Sequence, residues 1–229
     1  YSFWLKQEKN IINSVGGVSV VSQSMIGYFK KYSPNEIAYC PIIANPSNLF
    51  YSNRERIILR DSWEWSKNNV YVYSGSFGLY GLNKNYLKKL ISLISLSDSN
   101  SRFLFLLSNS EEEFNFFIRG LDRNIFKYFS VEPENLYKYL SAADVGIHAL
   151  PPQIDSFTRL GTKIVEYWAC GLPTLLNDNV GEASHISKKN NFGLVIDSET
   201  LEHNRPINLD FSMFDRSVIR KKSLELFEK

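Results

Sequence analysis

The sequence predicts an α/β protein built on a doubly wound parallel sheet of about six strands. Three observations predict it. From Asn69 onward six short apolar runs recur, "VYVYSG" (70–75), "RFLFLLS" (102–108), "IFKYFS" (125–130), "DVGIHAL" (144–150), "PTLLND" (173–178) and "FGLVID" (192–197). Most are aromatic and aliphatic without strict alternation, the pattern of strands buried on both faces. Longer segments of helical period separate them, and strand–helix–strand repeated five times gives a parallel sheet with helices on both faces. The right-handed crossover rule then makes the sheet doubly wound and Rossmann-like.

Each element has its own signal. Residues 19–33, "SVVSQSMIGYFKKYS", read as a helix, and 36–45, "EIAYCPIIAN", as a strand closed by a Pro and Asn turn. Segment 46–68 is polar and predicts a helix plus loops. In 83–96, Tyr86, Leu87, Leu90, Ile91 and Ile94 share one helix face. Segment 110–120 carries Phe114, Phe117 and Ile118 and stops at Gly120, while 132–143 opens with Pro133. Helices 161–170 and 181–190 follow, the first ending on Gly171 and Pro173. The end, 216–229, is a polar amphipathic helix. These signals divide the chain into a helical segment (1–35), the sheet domain (36–215) and a terminal helix (216–229). Both outer pieces look like parts of something larger.

Composition excludes several classes. A net charge of +2 on 229 residues gives no bulk field for holding nucleic acid. No apolar run reaches the roughly 18–20 residues that span a bilayer, and the start lacks a signal-peptide pattern. Cys40 and Cys170 make no disulfide framework, and no Cys/His spacing suits zinc. Both cysteines are expected to be buried, and the compartment to be cytoplasmic.

In such a sheet, ligands bind beyond the carboxyl ends of the strands. Those edges carry "GSFGLYG" (75–81), Val131-Glu132, "PPQIDSFTRLG" (151–161) and "NDNVGEAS" (177–184). The glycine loop lacks the G-x-G-x-x-G spacing, and the second strand ends in Ser108-Asn109-Ser110 without an acid, which disfavours a nicotinamide dehydrogenase. No P-loop pattern occurs, and the loop could be a plain strand-to-helix turn.

"TKIVEYWACGLP" (162–173) is more specific. A lysine in a helix's first turn opposes the dipole, which favours anions there. Gly161 and Thr162 at that N-terminus can offer N–H groups and a hydroxyl to a phosphate, with Lys163 and Arg159 adding charge. Glu166 lies about one turn further along the same face, where a carboxylate accepts from the two hydroxyls of a ribose. The alternative is a solvated polar face.

"ADVGIHALPP…FTRLGTKIVEYWACGLPTLLNDNVGEASHI…NNFGLVI" (143–196) resembles the donor-binding half of two-domain GT-B glycosyltransferases. The closest likeness is to the large retaining group that builds bacterial surface polysaccharides and glycolipids. "VYSGSFG" (72–78) and "FSVEPENLYKYLSAADVGI" (129–147) resemble the same domain, and "SVGGVSVVSQSM" (14–25) the last helix of the acceptor domain. The resemblance implies one half of a GT-B enzyme, with most of the acceptor domain missing. It implies transfer of a sugar from a nucleotide-diphosphate donor to a hydroxyl of a glycan or lipid-linked acceptor. No metal or other cofactor is then required, and any membrane association is peripheral, through the missing domain.

By resemblance, the donor site comprises Gly75, Ser76, Phe77, Gly78, Val131, Glu132, Thr158, Arg159, Gly161, Thr162, Lys163 and Glu166. Glu166 matches the second of two glutamates with seven residues between them, and Thr158 replaces the first. Ser76 and Gly81 stand where many relatives carry an Arg and a Lys facing the diphosphate, so either Lys84 or Lys163 supplies the charge or donor affinity is weak. The acceptor-engaging residue belongs to the missing domain, which makes this fragment donor-binding but inactive alone. His148 is read as structural, and His185 and His203 as surface residues. Two alternatives stay open: a degenerate, non-catalytic domain supporting a partner, and a nucleotide-sugar 2-epimerase.

Overall fold

The computed structural model describes residues 2–32, 36–77, 84–152 and 158–227. Six parallel strands form the main sheet: β3 (Asn69–Gly75), β4 (Ser101–Leu107), β5 (Phe126–Phe129), β6 (Val145–His148), β7 (Thr174–Asn177) and β8 (Gly193–Ile196). Their order is β5-β4-β3-β6-β7-β8. The chain thus builds outward from β3 in one direction, then returns to pair β6 on β3's other side, with Tyr71 opposite Val145. That reversal is the switch point at which an open sheet forms its crevice.

Alternate strand residues feed two cores. Val70, Val72, Leu104 and Leu106 face one, and Tyr71, Tyr73, Phe103 and Phe105 the other. The second core is covered by α4 (Lys84–Ser97), α5 (Glu111–Phe117) and the short α9 (Ser198–Glu202). The first is covered by α3 (Asn53–Trp63), α6 (Leu136–Ala142), α7 (Thr162–Ala169), α8 (Gly181–Asn190) and α10 (Arg216–Phe227). Local chemistry fixes the ends. Ser110 caps α5 by accepting from the Glu113 N–H at 3.2 Å, and three glutamates fill its first turn, where the dipole favours anions. Pro133 opens a 3₁₀ turn before α6.

The amino-terminal part differs from expectation. Residues 2–14 form a helix, α1 (Ser2–Ser14). Residues 18–20 are a strand, β1 (Val18–Val20), and the helix α2 (Gln23–Lys30) begins later than the periodicity suggests. Val18, Val20 and Val21 are β-branched, and β1 pairs in parallel with β2 (Ile37–Tyr39). Ser22 caps α2, accepting from the Met25 N–H at 3.4 Å. The β1–β2 pair is a separate sheet, so β2 does not join the six strands. Glu182 of α8, 4% exposed, joins the two parts by accepting from the Gln23 and Ser24 N–H groups, each at 3.1 Å.

Cys170 is buried as expected, and burial pushes its thiol up to about 12, so it is inert at neutral pH. Cys40 is exposed, contrary to expectation, because it follows the short edge pair just outside the main cores. Among the described residues no helix is long and apolar enough to cross a membrane.

Candidate functional site

The crevice forms where β3 and β6 end. Tyr167 of α7 lies flat against Gly146 of β6, where any Cβ would come within 2.4 Å of the ring. Its phenolic oxygen accepts from the Ser74 N–H of β3 at 2.7 Å. One side chain therefore bridges both strands at the switch point and sets the start of α7 over the gap. Gly161 is the N-cap of α7, with no side-chain cap hydrogen bond. That leaves first-turn N–H groups available to an anion.

Lys163 reaches back over the end of β3. A Cβ at Gly75, whose φ is +141°, would meet its Nζ at 2.4 Å, so glycine there serves both backbone and lysine. The ammonium donates to the Tyr73 hydroxyl at 3.3 Å and lies 4.9 Å from that ring's centre. Burial holds its pKa down at about 8, against the opposing pull of Glu166. Burial also raises the Glu166 carboxyl above its ordinary value, with Lys163 drawing it back. The Glu166 carboxylate accepts no hydrogen bond from the described residues, while its carbonyl accepts from the Cys170 N–H at 3.1 Å. A desolvated cation and carboxylate on one helix face mark a candidate polar site.

Two adjoining clefts, each of about 510 Å³, meet at Thr162 and Lys163. The first gathers Gly75, Ser76, Val131, Thr162, Lys163 and Glu166, and is completed by Ser108, Ser130 and Leu136. The second gathers Thr158, Arg159 and Gly161 with His148, Leu150 and Val180, and Val21 and Met25 complete its wall. A larger cleft of about 590 Å³ lies between α2 and α8, away from the strand ends.

Some expected residues lie elsewhere. The Phe77 side chain is 6% exposed and packs on Phe117, with ring centres 4.8 Å apart. Its ring belongs to the core, not to a ligand surface. Glu132 is exposed and lines neither cleft; only its carbonyl acts locally, accepting from Asn135 at 2.9 Å. Lys84 lies over the Phe77 ring at 5.1 Å, which leaves Lys163 as the lysine among the described lining residues of the first cleft. Gly78 and Gly81 lie outside the described residues. His148 is buried at 6% exposure, its ring parallel to Tyr73 with centres 6.2 Å apart. It also lines the second cleft. His185 and His203 are exposed as expected.

Two asparagines were missed by sequence reasoning. Asn109 binds both backbone groups of Phe77, accepting from its N–H at 2.5 Å and donating to its carbonyl at 3.1 Å. Asn177 does the same for Leu150, at 2.9 and 2.8 Å. Each sits at or just beyond the end of a strand and clamps the loop leaving the neighbouring strand. The signal was visible only as Asn closing an apolar run. Among the described residues, no group of three or more His, Cys, Asp or Glu side chains comes together to hold a metal.

No family model matches the sequence, and no curated protein matches it. Solved structures do. A sucrose-phosphate synthase from Thermosynechococcus elongatus is 16% identical with a TM-score of 0.73, over 99% of this chain and 58% of that one. HepE of Anabaena, solved with UDP-glucose, is 15% identical with a TM-score of 0.71, over 97% of this chain and 63% of that one. This chain thus spans about three-fifths of their length. The carboxy-terminal domain of a group 1 family glycosyl transferase, LpcC from Francisella tularensis, is 12% identical with a TM-score of 0.52, over 79% of this chain and 92% of that one. The chain carries the Rossmann-like α/β fold of the carboxy-terminal domain of GT-B glycosyltransferases.

Proposed function

We propose that this chain is the donor-binding part of a glycosyltransferase and that its crevice binds a nucleotide-diphosphate sugar. The observation that supports this most is the pairing of a desolvated lysine with a half-buried carboxylate at the start of α7, directly over the switch point. The nucleoside occupies the first cleft. Its ribose hydroxyls donate to Glu166, which lies one turn along from the helix start. The diphosphate meets the first-turn N–H groups of α7, the Thr162 hydroxyl and Lys163. The sugar projects toward the second cleft.

In transfer to an acceptor hydroxyl, negative charge grows on the departing diphosphate. Positioned N–H groups and an ammonium stabilise that charge, and they do so more strongly in a partly dehydrated site. The acceptor, a glycan or lipid-linked saccharide, approaches from a partner domain that closes on this one. HepE, whose solved complexes hold UDP and UDP-glucose, makes uridine donors the first to try.

A thermal-shift panel of UDP, GDP, ADP and CMP sugars tests the reading. One base class at about 100 times its Kd stabilises the fold by about 2.7 kcal/mol. That is roughly 5–10 °C for a domain of this size. No shift with any member would favour a non-catalytic domain.

A further inference from the structure

The amino-terminal part lends the second cleft a wall, Val21 and Met25, at the start of α2. A helix start leaves its first N–H groups without partners of its own. Ser22 takes that of Met25 at 3.4 Å. The Glu182 carboxylate takes those of Gln23 and Ser24, each at 3.1 Å, and the Ser24 hydroxyl donates to it as well. Glu182 lies in the first turn of α8, so the positive ends of two helices share one carboxylate. Bonds to an ionised acceptor are stronger than neutral ones. Glu182 is 4% exposed, which shields them from water.

The place of Glu182 in the chain matters as much. Val180, 1% exposed, lines the second cleft from the side of the main sheet. Gly181 follows with φ +46° and ψ −115°, a backbone setting that favours glycine. Glu182 comes next, so three consecutive residues run from the cleft wall to the tie on α2. Burial, then the Glu182 charge, raise the Tyr39 phenol of β2 above its ordinary value, outweighing a Gln23 side-chain bond that lowers it. The carboxylate is therefore felt by both the helix and the edge strand of the amino-terminal part.

We infer, resting on the nucleotide-sugar reading above, that Glu182 is a positioning residue for the donor. It sets α2, and with it Val21 and Met25, against the cleft toward which the sugar projects. The nucleoside diphosphate, held at the start of α7, does not need the tie. The sugar beyond it does.

Calorimetry tests this on wild type, Glu182→Gln and Glu182→Ala with UDP and UDP-glucose, and in parallel with GDP and GDP-mannose. Within the base series that binds, Glu182→Ala should weaken the nucleotide sugar about tenfold and the bare diphosphate less than about twofold. Glu182→Gln keeps one acceptor oxygen and should fall between. Hydrogen exchange on the apo proteins checks the cause. The Gln23 and Ser24 amides should exchange at least about tenfold faster in Glu182→Ala, with those of β3 and β4 unchanged. Ser24→Ala, which leaves Glu182 in place, should show the same selective loss on a smaller scale, and it decides if Glu182→Ala does not fold. Equal losses for nucleotide sugar and diphosphate overturn the inference while leaving the nucleotide reading intact. So do unaltered affinities with the two amides freed, or amides that stay protected in Glu182→Ala. Absence of binding by every nucleoside diphosphate in the wild type overturns both.

Discussion

Asp144→Asn should lower the unfolding free energy by about 3 kcal/mol, read as a drop in urea midpoint at unchanged slope. Asp144 lies just before β6, and its carboxylate accepts from Arg56 at 2.6 Å, from Arg60, and from the Val70 N–H at 2.8 Å. Arg60 is only 5% exposed, so removing the charge strands a buried guanidinium. A fully buried pair costs about 3–5 kcal/mol to break; the Asp144 side chain is 27% exposed, which argues for the low end. Burial pushes its carboxyl up, but the pull of Arg60 and Arg56 outweighs that and holds it below the ordinary value. A carboxyl depressed in the folded state stabilises above its unfolded pKa of about 3.9. That contribution fades as pH falls through the folded value, so the asparagine variant should lose this part of the acid dependence. An unchanged midpoint would mean that the arginines are sufficiently held by carbonyls alone.

Glu166→Ala should weaken binding of the best nucleoside diphosphate by about 1.5–3 kcal/mol, the range for hydrogen bonds to a charged group. This is roughly 10- to 150-fold in Kd. The apo protein should melt at the same temperature or slightly higher, because a half-buried carboxylate is removed from a place where burial already disfavours its charge. Calorimetry and melting curves on the same samples separate the two effects. Unchanged affinity with lost stability would make Glu166 a structural partner of Lys163.

The strands of the main sheet were legible because a run buried on both faces has few other ways to hide aromatic residues such as Phe103 and Phe105. The approach of α7 to the crevice was legible because Lys163 contradicts the dipole of an isolated helix. The start of α2 was not, since Val18–Val21 and the following residues share one apolar pattern and only pairing with Ile37–Tyr39 separates strand from helix. Phe77 was misplaced for a related reason. A glycine loop at a strand end suggests a ligand surface, but an aromatic ring between glycines can turn inward when Phe105 and Phe117 leave it room. The Asn109 and Asn177 clamps depend on which strands are neighbours, and strand order is a property of the folded chain. The same holds for Arg216 and Arg220, whose guanidinium groups donate to Ala143 and Ala169, at or beside the last turns of α6 and α7.

The central claim is that Lys163 waits for a diphosphate, and Lys163→Gln tests it most directly. Calorimetry with a nucleoside and its diphosphate, on wild type and variant, reads the phosphate contribution alone. The diphosphate should lose affinity in the variant, the nucleoside should hardly change, and added salt should shrink the difference to the extent that the site stays open to water. The pH dependence gives a second reading of the same residue. Burial lowers the Lys163 pKa to about 8, so between there and about 10.4 the unfolded chain binds a proton that the folded one does not. Apo stability should therefore rise with pH across that window while diphosphate affinity falls, and both trends should vanish in Lys163→Gln. A phosphate-selective loss with an equally stable apo protein is the predicted result. Equal losses for nucleoside and diphosphate, or a variant that is less stable with unaltered phosphate selectivity, would contradict it.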